Sequence, residues 1–163
     1  MHKVLAMLMF VAVAANAAQP DEEFLGELIG TWDMSGELGG KPVHYRAQAV
    51  RTLAGGWIEF HMEDVATPRS YEARLFLSAD RKAHDVIVHW LDQFGAAGAR
   101  VVGTGTRSGN VLTVTFPYAE GAFRNEWAYD AAKHTWTLAI DAQESDKSWK
   151  PFARYTLQPA PAN

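Results

Sequence analysis

Histidines and carboxylates are the residues of this chain that could do chemistry. Besides His2 there are five histidines, His44, His61, His84, His89 and His134, and none falls in a His-x-x-x-His or His-Glu-x-x-His pattern. His61 lies two residues from Glu59 and from Glu63. On an extended strand those three share a face, and His44 from a neighbouring strand would complete a zinc-type donor set. The same spacing describes a polar outer face opposite Ile58, Phe60 and Met62. We adopt that reading, so no metal is expected. Asp85 and Asp92 are an odd number of residues apart and point to opposite faces of one strand. Asp92 follows Trp90 by two, so these two share a face. A carboxylate so placed orients a ligand or acts as a base, with His89 the other candidate base. Glu126 and Arg124 share a face as a surface pair. Nucleophile chemistry has no support. The chain has no cysteine and no Gly-x-Ser-x-Gly element, and Ser108-Gly109-Asn110 is a turn. Gly103-Thr104-Gly105 is too short to cradle a phosphate.

The elements that must position these groups are short strands. Between Gly30 and the C-terminus, segments rich in Val, Thr, Trp, Phe and Tyr alternate with turn clusters. The clusters are Gly39-Gly40, Gly55-Gly56, Thr67-Pro68, Ala79 to Lys82, Gly95 to Gly98, Ser108 to Asn110, Glu120-Gly121, Asp130 to Lys133 and Glu144 to Lys147. They separate about ten strands, and nearly all are short enough to be hairpins. Leu112, Val114 and Phe116 alternate with Val111, Thr113 and Thr115, and Trp136, Leu138 and Ile140 alternate with Thr135, Thr137 and Asp141. Tyr71, Ala73, Leu75 and Leu77 behave likewise, with Phe76 as the exception. One face of each strand is therefore apolar. A meander of this length closes into a single antiparallel up-and-down β-barrel, because closure removes the exposed edges. Val86 to Leu91 is apolar on both faces apart from His89, which calls for a covering element or partner. Before the barrel, Asp21 is placed to cap a short helix whose inner face carries Phe24, Leu25, Leu28 and Ile29, with Gly30 ending it.

The 163 residues, 48% hydrophobic and 21% charged, suit one globular domain. With a net charge of −4 and no basic run, nucleic acid is excluded as a partner. Residues 1–17 read as an export signal: Met1-His2-Lys3, an apolar run from Val4 to Ala14, and Ala15-Asn16-Ala17 as the cleavage site. That run is about half of the ~20 residues a membrane span needs, so a periplasmic or secreted mature domain, residues 18–163, without a membrane span is expected.

Gly30-Thr31-Trp32 at the head of the first strand and Arg154 in Phe152-Ala153-Arg154-Tyr155 near the end resemble the lipocalin and wider calycin signature. The resemblance implies that Trp32 packs at the closed base with Arg154 across it as a cation–π contact. A longer pattern is similar to exported proteins grouped as domain of unknown function 1579. It comprises Leu25 to Trp32, Leu53-Ala54-Gly55-Gly56-Trp57-Ile58, Leu77-Ser78-Ala79-Asp80 and Trp90-Leu91-Asp92. That resemblance implies a lipocalin-like barrel of about ten strands and no established activity. Some ten-stranded barrels, the nitrobindins, hold haem through a late histidine. Here only His134 is late and His89 is central, neither in a matching motif, so no cofactor is expected.

The aromatic set then decides the expected function. A ten-stranded barrel is wider than one of eight, and its middle is harder to fill with side chains alone. A small hydrophobic ligand is the expected partner, lined by Phe60, Met62, Trp90, Phe116, Phe123, Trp127 and Tyr155, with Asn125 and Asp92 as polar contacts. The alternatives are a barrel enzyme acting on a lipid-like substrate and a filled barrel working through its surface.

Overall fold

The computed structural model describes residues 20–161. The export signal lies outside the described residues. A short helix α1 (Pro20–Gly26) precedes ten strands. These are β1 (Gly30–Leu38), β2 (Lys41–Thr52), β3 (Trp57–Asp64), β4 (Glu72–Asp80), β5 (Asp85–Asp92), β6 (Val102–Ser108), β7 (Val111–Phe116), β8 (Phe123–Asp130), β9 (Thr135–Gln143) and β10 (Trp149–Pro159). Every strand pairs antiparallel with the next, and β1 closes the ring on β10. All nine turn clusters fall at or between strand ends, and the alternating apolar residues point inward. Among the described residues, no helix is long and apolar enough to cross a membrane.

The barrel has one plugged end. Phe24, Leu25 and Leu28 are buried under α1 and the turn that follows it. Trp136 packs edge-on against Phe24 at 5.0 Å, and Trp127 stands edge-on to both Trp136 (6.5 Å) and Phe60 (5.4 Å). Two buried indoles tie the plug down. Trp32 Nε1 donates to the Leu28 carbonyl at 2.8 Å, and Trp136 Nε1 donates to the Glu27 carbonyl at 3.3 Å. Outside, Arg81 grips Glu22 with two bonds of 2.7 Å, and Arg107 reaches Asp21 at 2.6 Å while lying over the Phe24 ring. Asp21 thus sits inside the helix and pairs with Arg107 instead of capping. The helix stops at Gly26, so Ile29 turns outward and is 39% exposed. Gly30 opens β1 with a φ of +149°, and does not end the helix.

The expected Arg154–Trp32 contact is absent, for a reason of register. Trp32 lies opposite Pro159, whereas Arg154 lies opposite Glu37, five residues further along the β1–β10 seam. That is about 17 Å at strand rise, and Arg154 faces outward while Trp32 faces inward. The ring beside Trp32 is His134, at 5.5 Å. Arg154 instead joins Arg124 on Asp141, on the outer wall of β8, β9 and β10. The Arg124 Nη2 to Asp141 Oδ2 distance is 2.9 Å, and Arg124 also lies over Trp149. This replaces the expected Arg124–Glu126 pair.

Burial alone would raise the Asp141 pKa, but the two guanidinium groups outweigh it and hold the carboxyl below the ordinary range. A carboxylate with a depressed folded pKa contributes stability above its unfolded pKa, about 3.9, and loses that contribution as pH falls through the folded value. Asp141→Asn should therefore cost about 1–2 kcal/mol at neutral pH. In urea unfolding series, the gap to the parent protein should close below about pH 4. A gap that persists unchanged in acid would mean the loss is one of packing.

Candidate functional site

The inward faces do not fill the barrel evenly. Below, toward α1, large side chains meet across the axis. Above, a cavity of about 570 Å³ opens between the loops at the other end. Of the residues expected to line it, Met62, Trp90, Asp92, Phe116, Phe123, Asn125 and Tyr155 are on its wall. Phe60 and Trp127 are not. They face inward on the same strands but stand against one another within the packed lower half.

The wall is a chain of rings. Trp90 meets Phe116 edge-on at 6.3 Å, and Phe116 stacks on Tyr118 at 6.2 Å. Tyr118 meets Phe123 at 5.8 Å, and Phe123 meets Phe152 at 5.1 Å. Gly103 makes room for this arrangement. A Cβ there would come within 2.7 Å of the Phe116 ring, so the bare strand β6 is what lets that ring lie against the wall. Across the mouth, Tyr45 stands edge-on to Tyr71 at 6.0 Å and to Tyr155 at 5.9 Å. Burial pushes the Tyr71 and Tyr155 hydroxyls well above the usual tyrosine range, so both remain hydrogen-bond donors at physiological pH.

Polar groups are few. Trp90 Nε1 donates to the Tyr71 hydroxyl at 3.1 Å, which donates onward to Asp92 Oδ2 at a long 3.4 Å. The other oxygen, Asp92 Oδ1, accepts the Phe94 N–H at 3.0 Å. Asp92 thereby holds the start of the loop between β5 and β6. Phe94 on that loop is 75% exposed and still lines the mouth, packing against Tyr71 at 6.0 Å. β5 pairs with β6 only from Val86 to His89, so Trp90 and Asp92 project beyond β6 into the opening. Deeper, Asn125 is 2% exposed between Val114 and Ile140, and its amide oxygen has no hydrogen-bond partner. Leaving such a group unmet costs about 1–3 kcal/mol. A buried orphan on a cavity wall marks a place where something polar belongs.

The histidines lie elsewhere. His89 is on the outer wall, with Nε2 on the Ala99 carbonyl at 3.1 Å, and the short 3-10 turn Gly98–Arg100 supplies the expected cover over β5. His134 lies at the plugged end on the Tyr129 hydroxyl, at 2.7 Å. Neither lines the cavity, which leaves Asp92 as the candidate base that does. The zinc-type set does not assemble. His61 bonds Glu72 at 2.8 Å, Glu59 pairs with Arg74, Glu63 with Arg69, and His44 lies 3.7 Å from Asp33. Among the described residues no three His, Asp or Glu side chains form a metal-binding group. A smaller hollow of about 330 Å³ at the plugged end is a surface cleft walled in part by the Glu22–Arg81 pair.

Several lining residues escaped sequence reading. Tyr45 and Tyr71 carried a usable signal, since Tyr45 keeps the inward parity of β2 and Tyr71, just ahead of β4, keeps that of Ala73 and Leu75. Phe152 carried only an indirect one, the neighbouring Pro151, a residue that sheets confine to edges, strand starts and bulges. The register shifts between Pro151 and Ala153, and this β-bulge re-aims Phe152 toward the mouth.

Fold and cavity together define a calycin-like ten-stranded barrel with one plugged end and one open end. Among solved structures, the chain is similar to the crystal structure of Rv2717c from M. tuberculosis, with a TM-score of 0.59 and 14% identity over 88% of this chain and 99% of that one. At that identity the likeness concerns the fold alone. No family model matches the chain, and no curated protein matches it.

Proposed function

We propose that this protein is an exported binding protein that holds a small apolar or amphipathic molecule in the open half of its barrel. The observation that carries the reading is the division of the interior. Rings fill the lower half, while about 570 Å³ remains open above them, a volume typical of small-molecule sites. Burial of apolar surface against the rings supplies the affinity, and Asp92, Tyr71 and Asn125 supply orientation. The export pattern in residues 1–17 supports a periplasmic or extracellular setting.

Native mass spectrometry of the protein, purified gently from its own cells, should show a reproducible small added mass. The fluorescent probe 1-aminoanthracene should bind in the micromolar range and at least about tenfold more weakly to Trp90→Ala. A bare mass, together with no uptake of the probe, would overturn the proposal.

A further inference from the structure

We propose that the cavity selects an amine carried on an apolar body, and discriminates against organic acids. This rests on the binding reading above and names the chemical class of its ligand.

Three features of the wall point the same way. First, aromatic rings are the largest part of its lining, with Tyr71, Trp90, Phe116, Tyr118 and Phe123 around the opening and Leu38, Val43, Met62 and Ile140 between them. The π faces of such rings carry negative potential and attract ammonium groups, more strongly where water is excluded. Second, apart from the tyrosines, the ionisable side chains on the wall are both acidic, Asp92 and Glu120. Among the described residues no lysine, arginine or histidine lines the cavity. Arg69, on the loop beside the mouth, is held by Glu63 at 2.9 Å and Glu72 at 3.8 Å. Arg124 and Arg154 are turned outward onto Asp141. A carboxylate ligand would find tyrosine hydroxyl donors but two acids and no lining cation to meet it, whereas an ammonium finds rings and carboxylates together. Third, the amide of Asn125 is buried on the inner wall with its oxygen unpartnered. It offers a hydrogen-bonding group to a polar atom that reaches inward, so the ligand is not a bare hydrocarbon. Asp92 has capacity to spare, because the Tyr71 bond to its Oδ2 is long.

Calorimetric titration at neutral pH with three decyl probes below their aggregation concentrations tests this. Decylammonium should bind about 30-fold more tightly than decanoate, with decanol between them. In the double variant Asp92→Asn/Glu120→Gln, the ratio of decylammonium to decanol affinity should collapse to about threefold or less. Because that ratio is read within one protein, a general loosening of the mouth cancels from it. Decanoate binding as tightly as decylammonium, or a ratio unmoved in the double variant, overturns the amine assignment and leaves the cavity reading standing. Failure of all three probes to bind overturns the cavity reading itself, and this assignment with it.

Discussion

Trp127→Ala is expected to lower the unfolding free energy by about 3–5 kcal/mol, with a fall in Tm on the order of 10 °C. Trp127 is fully buried where β8 crosses the lower half, between Leu112 on β7 and Leu138 on β9. It meets Phe60 from across the barrel and Trp136 from the adjacent strand β9, beside the plug. Trp136 in turn carries Phe24 and the Glu27 carbonyl, so the indole of Trp127 supports the contact between barrel and helix. Removing it leaves a hole enclosed by rings that cannot collapse, because they are fixed on different strands of a closed sheet. Trp90→Ala is the control. Trp90 is only partly buried and already borders open volume, so its loss creates no new enclosed void and should cost about 1 kcal/mol. Urea unfolding of the two variants side by side reads the difference. Equal losses would mean that the interior is uniformly packed and that the upper cavity is not open in solution.

The same contrast explains how much was legible beforehand. The barrel was readable because each strand buries one face only. Leu112, Val114 and Phe116 repeat at the period of the pleat, and the hairpin signals between such runs are local. Inward direction is therefore written in the order of residues. Height along the barrel axis is not. Phe60 and Met62 have the same parity on β3, as do Trp127 and Asn125 on β8, yet one of each pair packs below and the other lines the cavity. Height depends on the stagger between strands, which closure determines and no single strand encodes. The Arg154–Trp32 expectation failed for this reason, since both residues sit on neighbouring strands but at opposite ends of the seam. Phe152 failed differently. A one-residue bulge shifts the register before Ala153, and its one sign in the sequence is Pro151, which has no N–H to give a ladder.

Asn125→Leu should leave stability unchanged or raise it by about 1 kcal/mol while weakening 1-aminoanthracene at least about tenfold. The two signs together are what make the change informative. Leucine branches at the same carbon as asparagine and brings no polar atoms. Its register neighbours, Val114 and Ile140, are apolar. The folded protein would thus lose a buried amide oxygen that has no partner and gain apolar contact at nearly constant volume. On the proposed binding reading, the amide that costs the fold stability is the group that meets a polar atom of the ligand. Chemical denaturation midpoints and probe titrations on the same preparations measure both quantities. If the variant is instead destabilised by more than about 1 kcal/mol and still binds the probe normally, the amide serves the fold through an interior water, and the orienting role passes to Asp92 and Tyr71.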